Sequence, residues 1–173
     1  DSSASKLEQS IQMRQSANPI DSSALANSWI DLADIYRIQA RREQSVAALA
    51  EATKLLSANN GHGLDLQCKW LLVSALSAED NSDFAKADSL ATQSLNLARR
   101  IGDKTEACAH VLTALGRIKF RRGDFLDAEL RLRQALDILE RQGTADRVLA
   151  NFSYTLGAGL DIEILTTWLA SET

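Results

Sequence analysis

Apolar residues recur at spacings of three and four along most of the chain. Leu25, Trp29, Leu32, Ala33 and Tyr36 form one such run. On a helix of 3.6 residues per turn they share a face. The run predicts a helix from the capping candidates Asp21-Ser22-Ser23 to about Ala40. Before it, Leu7, Ile11 and Arg14 predict a helix over 3-17, closed by Asn18-Pro19, because proline disfavours the helical conformation in the residue before it. After the short turn Arg41-Arg42-Glu43, a partner helix carries Val46, Leu49, Ala50, Ala52, Leu55 and Leu56. The breaker Asn59-Asn60-Gly61-His62-Gly63 ends this first pair. A helix from Leu64 to about Ala78 follows, with Trp70, Leu71, Leu72, Ala75 and Leu76. The turn 79–83 leads into Phe84, Ala87, Leu90, Ala91, Leu95 and Ala98. Gly102 suits a left-handed helix end. Thr105–Arg122 and Asp124–Arg141 make a third pair, and a less regular fourth begins at Ala145. Few windows alternate apolar and polar residues long enough for a strand.

The pattern repeats. Ala52-Thr53-Lys54-Leu55-Leu56, Ser94-Leu95-Asn96-Leu97-Ala98 and Ala135-Leu136-Asp137-Ile138-Leu139 are offset by 42 and 41 residues, and Gly116 and Gly157 by 41. Such a period is the mark of stacked helical repeats. The expected architecture is all-α: a single solenoid domain over 1-173, built of antiparallel helix pairs at about 21-58, 64-100, 104-142 and 145-171, with the extra N-terminal helix. Asp127–Arg131, Glu129–Arg133 and Asp137–Arg141 place acid before base at i,i+4 and mark a solvated face.

Charge and composition narrow the role. The chain of 173 residues carries 19 basic and 23 acidic residues, a net −4 mixed along its length. That argues against direct contact with nucleic acid, which asks for a one-sided basic surface. No apolar run approaches the ~20 residues of a membrane span. No secretory signal is visible, and the start at Asp1 is what an excised segment or a processed form would show. Cys68 and Cys108, 40 residues apart, read as buried free thiols, which points to a reducing, cytoplasmic setting.

Chemistry is sparse. His62, Cys68, Cys108 and His110 are the soft ligands present. Cys108 and His110 lie two apart, so on a helix they point to different sides and fit no zinc spacing. No phosphate-binding glycine loop or nucleophile-elbow motif occurs. The expectation is a non-enzyme with no cofactor and no metal. Trp29 and Trp70 read as inter-helix core. Ile162, Ile164, Leu165, Trp168 and Leu169 are too apolar for a finished solenoid end, so they predict a cap or a contact surface.

The third pair supplies Leu112, Leu115, Gly116, Gly123, Asp124, Phe125, Ala128, Leu132 and Ala135, with Lys119 at a first-helix aromatic position and Phe120 beside it. The first supplies Trp29, Leu32, Ala33, Tyr36, Leu49 and Ala52, with Arg42 where the turn aromatic belongs. The second supplies Leu71, Ala75, Phe84, Ala87, Ala91 and Ser94, without the Leu-Gly step. This pattern, over roughly residues 20–160, resembles the tetratricopeptide repeat superfamily. The long repeats are similar to those of kinesin light chains, the cell-polarity adaptor LGN and bacterial MalT-like regulators. The resemblance implies a right-handed superhelix of about four repeats whose first helices line a groove for a peptide or protein partner. Carried over, that groove holds Asn27, Ile30, Asp34 and Arg37, then Lys69, Leu72, Leu76 and Glu79. His110, Thr113, Arg117, Phe120 and Arg121 continue it, then Asn151 and Tyr154. Asn27 and Asn151 would bond a peptide backbone. Arg117 and Arg121, four apart, would hold a carboxylate or else stand solvated or paired with Glu106 and Asp124. Ile30, Asp34, Val73, His110 and Ala114 stand where a chaperone-tail clamp would have its polar groups, which disfavours that partner. Two other readings remain open: a homodimer through the apolar C-terminal segment, and a peptide- or signal-sensing domain of a bacterial regulator.

Overall fold

The computed structural model describes residues 2–17, 21–58 and 63–142. The expected fourth pair, with Asn151, Tyr154 and the apolar C-terminal stretch, lies outside the described residues. Among the described residues there are seven helices and no strand: α1 (Ser2–Gln15), α2 (Ser22–Ile38), α3 (Arg42–Ala58), α4 (Leu64–Asp80), α5 (Phe84–Ile101), α6 (Glu106–Arg121) and α7 (Phe125–Arg141). Two of the starts have simple causes. Asp21 Oδ1 accepts the Ala24 amide at 2.9 Å, and Thr105 Oγ1 accepts that of Cys108 at 3.2 Å, each satisfying an otherwise orphaned helix donor.

Three first helices end alike. Ala40, Ser82 and Gly123 have φ of 58°, 62° and 84°. The next amide in each case reaches back five residues: Arg41 N to Tyr36 O at 2.8 Å, Asp83 N to Ala78 O at 2.9 Å, Asp124 N to Lys119 O at 3.0 Å. This left-handed turn closes each helix and sends the chain back along it. Only glycine adopts that φ freely; other residues lose about 1–2 kcal/mol there. Ala40→Gly and Ser82→Gly should each raise stability by about 0.5–1 kcal/mol, and Gly123→Ala should lower it by about 1 kcal/mol. Urea unfolding followed by circular dichroism checks all three signs. Gly102, by contrast, has no positive φ. A Cβ there would sit 2.8 Å from Thr105 Cγ2, so a close approach, not a left-handed cap, explains the residue.

The chain divides into two compact units, Asp1–Leu97 and Ala98–Thr173. The first is built on α2, which packs against α1, α3 and α4. Its core holds Ile11, Leu25, Ile30, Leu32, Ala33, Leu49, Ala52 and Val73. Val46 and Ala50, expected on the inner stripe of α3, are exposed; α3 turns Ser45, Ala48, Leu49 and Ala52 inward instead. The small residues let backbones approach. Ser45 Oγ donates to Ala33 O at 2.8 Å. Ser94, which takes the place that Ala52 and Ala135 hold in the other repeats, donates to Cys68 O at 2.9 Å. Each buried bond contributes about 1 kcal/mol and keeps a hydroxyl from being orphaned. Burial raises the Cys68 thiol's pKa more than its contact with Ser94 lowers it. Both cysteines are free and buried. α1 is fastened by Ala4 and Ile11 and by Tyr36, whose hydroxyl donates to Glu8 and whose ring lies 4.3 Å under the Arg41 guanidinium. Burial pushes the Tyr36 pKa up, Glu8 adds to this, and Arg41 opposes it.

In the second unit α6 and α7 pack as a pair around Leu112, Leu115, Ile118, Leu132 and Leu139, all nearly sealed from solvent. Gly116 faces Leu132 so closely that a Cβ would lie 2.8 Å from its Cγ. The three i,i+4 pairs of α7 form as expected. The first two are partly buried, not solvated, and Asp127 also receives Lys119 at 3.1 Å.

Candidate functional site

Three helix faces collect most of the described residues that the repeat pattern assigned to a groove. In the first unit, Asn27, Asp31, Asp34 and Arg37 succeed one another on α2 at spacings of four, three and three. Lys69, Leu72, Leu76 and Asp80 do so on α4 at three, four and four. Each set therefore forms one helix face. The faces meet through side chains. Lys69 Nζ lies 2.6 Å from Asp31 Oδ1 and donates to Asn27 Oδ1 at 2.7 Å. Asn27 Nδ2 donates to Asp31 Oδ2 at 3.2 Å. One end further on, Arg37 donates to Asp34 at 2.9 Å through Nε and to Asp80 at 3.3 Å through Nη1. Leu72 and Leu76, half-buried, stand between these two polar clusters along α4.

The geometry is that of a cross-linked, half-exposed surface. Asp31, Asp34 and Asp80 keep 30–40% of their side-chain area in solvent, so each ion pair adds at most about 1 kcal/mol to stability. Their larger effect is to hold long side chains in one arrangement. Asn27 was expected to face a peptide backbone; here its carboxamide already bridges Lys69 and Asp31, which leaves it one donor and one lone pair. Ile30 and Glu79 leave the surface altogether: both are fully buried. α2 is flanked on three sides, so an angular offset that would expose Ile30 on an outer helix buries it here.

Asp31 and Asp80 are the members that the repeat pattern did not reveal. Asp80 was detectable by period, and Asp31 by its helix spacing to Asn27 and Asp34. Lys69 follows Asn27 by 42 residues and Asp80 follows Arg37 by 43, about one repeat, so residues on these faces meet their counterparts in the next first helix.

In the second unit, Glu106, His110, Thr113, Arg117 and Arg121 run along one face of α6 and are exposed or half-exposed. His110 Nε2 lies 3.5 Å from Glu106 Oε1. The Thr113 hydroxyl donates to Ala109 O at 2.9 Å, so it can only accept from a ligand. Phe120 turns away from this row. Its ring meets Phe125 edge to face at 5.3 Å and closes the α6–α7 turn. Lys119, at the aromatic position, lays its stem into the helix pair and its ammonium beside Asp127 and Asp124. Among the described residues no His, Cys, Asp and Glu gather in the groups of three that hold a metal ion, and no helix is long and apolar enough to cross a membrane.

Comparison with known proteins agrees with the helical-repeat fold. Residues 66–141 match the family described as tetratricopeptide repeat. No curated protein matches the chain significantly. Among solved structures, the crystal structure of BtubC (BKLC) from P. vanneervenii has a TM-score of 0.68 at 19% identity, over 91% of this chain and 65% of that one. The chain thus spans 65% of the length of that structure, and at this identity the likeness is one of fold. The described residues of this chain form an all-α helical-repeat fold, and residues 66–141 are similar to the tetratricopeptide repeat family.

Proposed function

We propose that this chain is a binding module that holds a peptide or protein segment on the exposed faces of its first helices, as a regulatory or adaptor part of a larger protein. Tetratricopeptide repeats generally mediate protein–protein interaction, and stacked repeats offer extended binding surfaces. The observation that carries the reading is the α2–α4 surface. Its ion pairs fix Lys69, Asp31, Arg37 and Asp80 before a partner arrives, so binding forfeits less side-chain entropy. Asp34 and Asp80 present carboxylates to a basic side chain or a backbone amide. Leu72 and Leu76 supply apolar contact between them. On α6, Arg117 and Arg121 form a second, basic row suited to a carboxylate.

A random peptide library displayed on phage and selected on the chain provides ligands. The affinity of the best peptide should fall at least about tenfold in Lys69→Ala or Asp34→Ala, or in the double variant Arg117→Ala/Arg121→Ala. Helix content should stay unchanged. Unchanged affinity in all of these variants contradicts the proposal.

A further inference from the structure

The first unit also holds a cleft that the peptide-binding face does not include. It opens between α3, α4 and α5 with a volume of about 540 Å³, within the roughly 300–1,000 Å³ typical of ligand sites. Trp70, on its wall, is one residue beyond Lys69 and so about 100° around α4 from it; the two surfaces face different ways. Trp70, expected in the inter-helix core, packs against the core of the first unit and is half-buried at the cleft, with Nε1 donating to Thr53 Oγ1 at 3.1 Å. Thr53 in turn donates to Leu49 O at 2.7 Å. This chain of bonds holds the ring in place.

We infer that this cleft binds an uncharged peptide segment that inserts apolar side chains between two hydrogen-bonding rims. The first support is charge. None of the nine residues lining the cleft is ionisable, in a chain where 24% are Asp, Glu, Lys or Arg. A charged ligand would lose water here and gain no counter-charge. The second is the layout. Leu56, Trp70 and Leu97 supply the apolar wall. Thr53 and Ser57, four apart on α3, form one rim, whose hydroxyls donate to Leu49 O and Lys54 O and so accept from a ligand, and Gln93 and Asn96, three apart on α5, form the other, which can donate as well. An extended main chain carries amide donors and acceptors along both edges, which two such rims can meet. The third is availability. Asn96 makes no side-chain hydrogen bond among the described residues, and Gln93 makes one long contact, to Ser89 Oγ at 3.4 Å.

The test uses the whole chain, labelled with ¹⁵N, and a set of acetylated, amidated peptides. One group alternates Leu or Phe with Ser or Gln; the other replaces the apolar residues by Lys or Glu. The neutral apolar peptides should shift the Trp70 indole and Asn96 carboxamide signals. Their affinity should fall about tenfold in Ser57→Glu, which places a carboxylate on the exposed rim, and in Asn96→Ala. Lys69→Ala should leave it unchanged, which separates this site from the α2–α4 face. The inference is overturned if no peptide shifts these signals up to about 1 mM. It is equally overturned if the charged group binds as well, if Ser57→Glu and Asn96→Ala have no effect, or if free indole shifts the signals and the peptides do not.

Discussion

Replacing Gly116 by valine should remove most of the stability of the α6–α7 pair. Even a single Cβ at this position would clash with Leu132 Cδ2 and lie 2.8 Å from its Cγ and 3.3 Å from the Ala128 carbonyl oxygen. Leu132 is itself buried, so it has no free volume into which to retreat. Overpacking of this kind costs about 1–3 kcal/mol, and valine adds two methyls beyond the clash already made by its Cβ. Gly116→Ala should cost less, because alanine recovers about 1 kcal/mol of helix propensity. The double variant Gly116→Val/Leu132→Ala decides the cause. If the two side chains compete for one space, their separate losses in urea unfolding will exceed the loss of the pair by at least about 1 kcal/mol. Strict additivity would show that Gly116 matters for another reason.

Ile30→Ala is expected to lower stability by about 2–5 kcal/mol and to leave the affinity of the remaining folded protein for a selected peptide unchanged. The residue is fully buried in the cluster shared by α1, α2, α3 and α4. The repeat pattern placed it in the groove, one turn from Asp34. The two substitutions should therefore behave in opposite ways: Ile30→Ala shifts the urea midpoint, whereas Asp34→Ala changes binding and shifts the midpoint little. Peptide titrations below the unfolding transition, run beside the urea curves, separate them. A loss of affinity in folded Ile30→Ala would restore the residue to the surface.

The helix order was legible because small residues at fixed intervals are required by packing itself. Ala52, Ser94 and Ala135 sit where helices touch, and Gly116 sits where a methyl would not fit. The turns were less legible. Gly123 advertises its left-handed φ, but Ala40 and Ser82 adopt the same conformation with side chains that give no sign of it, and Gly102 suggested such a turn without making one. The α2–α4 face was half visible. Asn27, Asp34, Arg37, Lys69, Leu72 and Leu76 follow from helix spacing. Asp31 and Asp80 share those faces by spacing, and what marks them is the partner each meets in the neighbouring first helix. Burial of Ile30 and Glu79 depends on what flanks a helix on every side, which a single-helix pattern does not contain. The cleft beside Trp70 needs three helices at once, so it had no signature of its own.

Photo-cross-linking shows whether a partner lies along the first-helix faces. The tightest peptide from the display selection, carrying a benzophenone side chain at each position in turn, is irradiated on the intact chain and the attachment sites are read by mass spectrometry. Attachment is expected along Asn27–Arg37 of α2 and Lys69–Asp80 of α4, reduced in Lys69→Ala. Attachment confined to the other helices, unaffected by that substitution, would place the partner elsewhere.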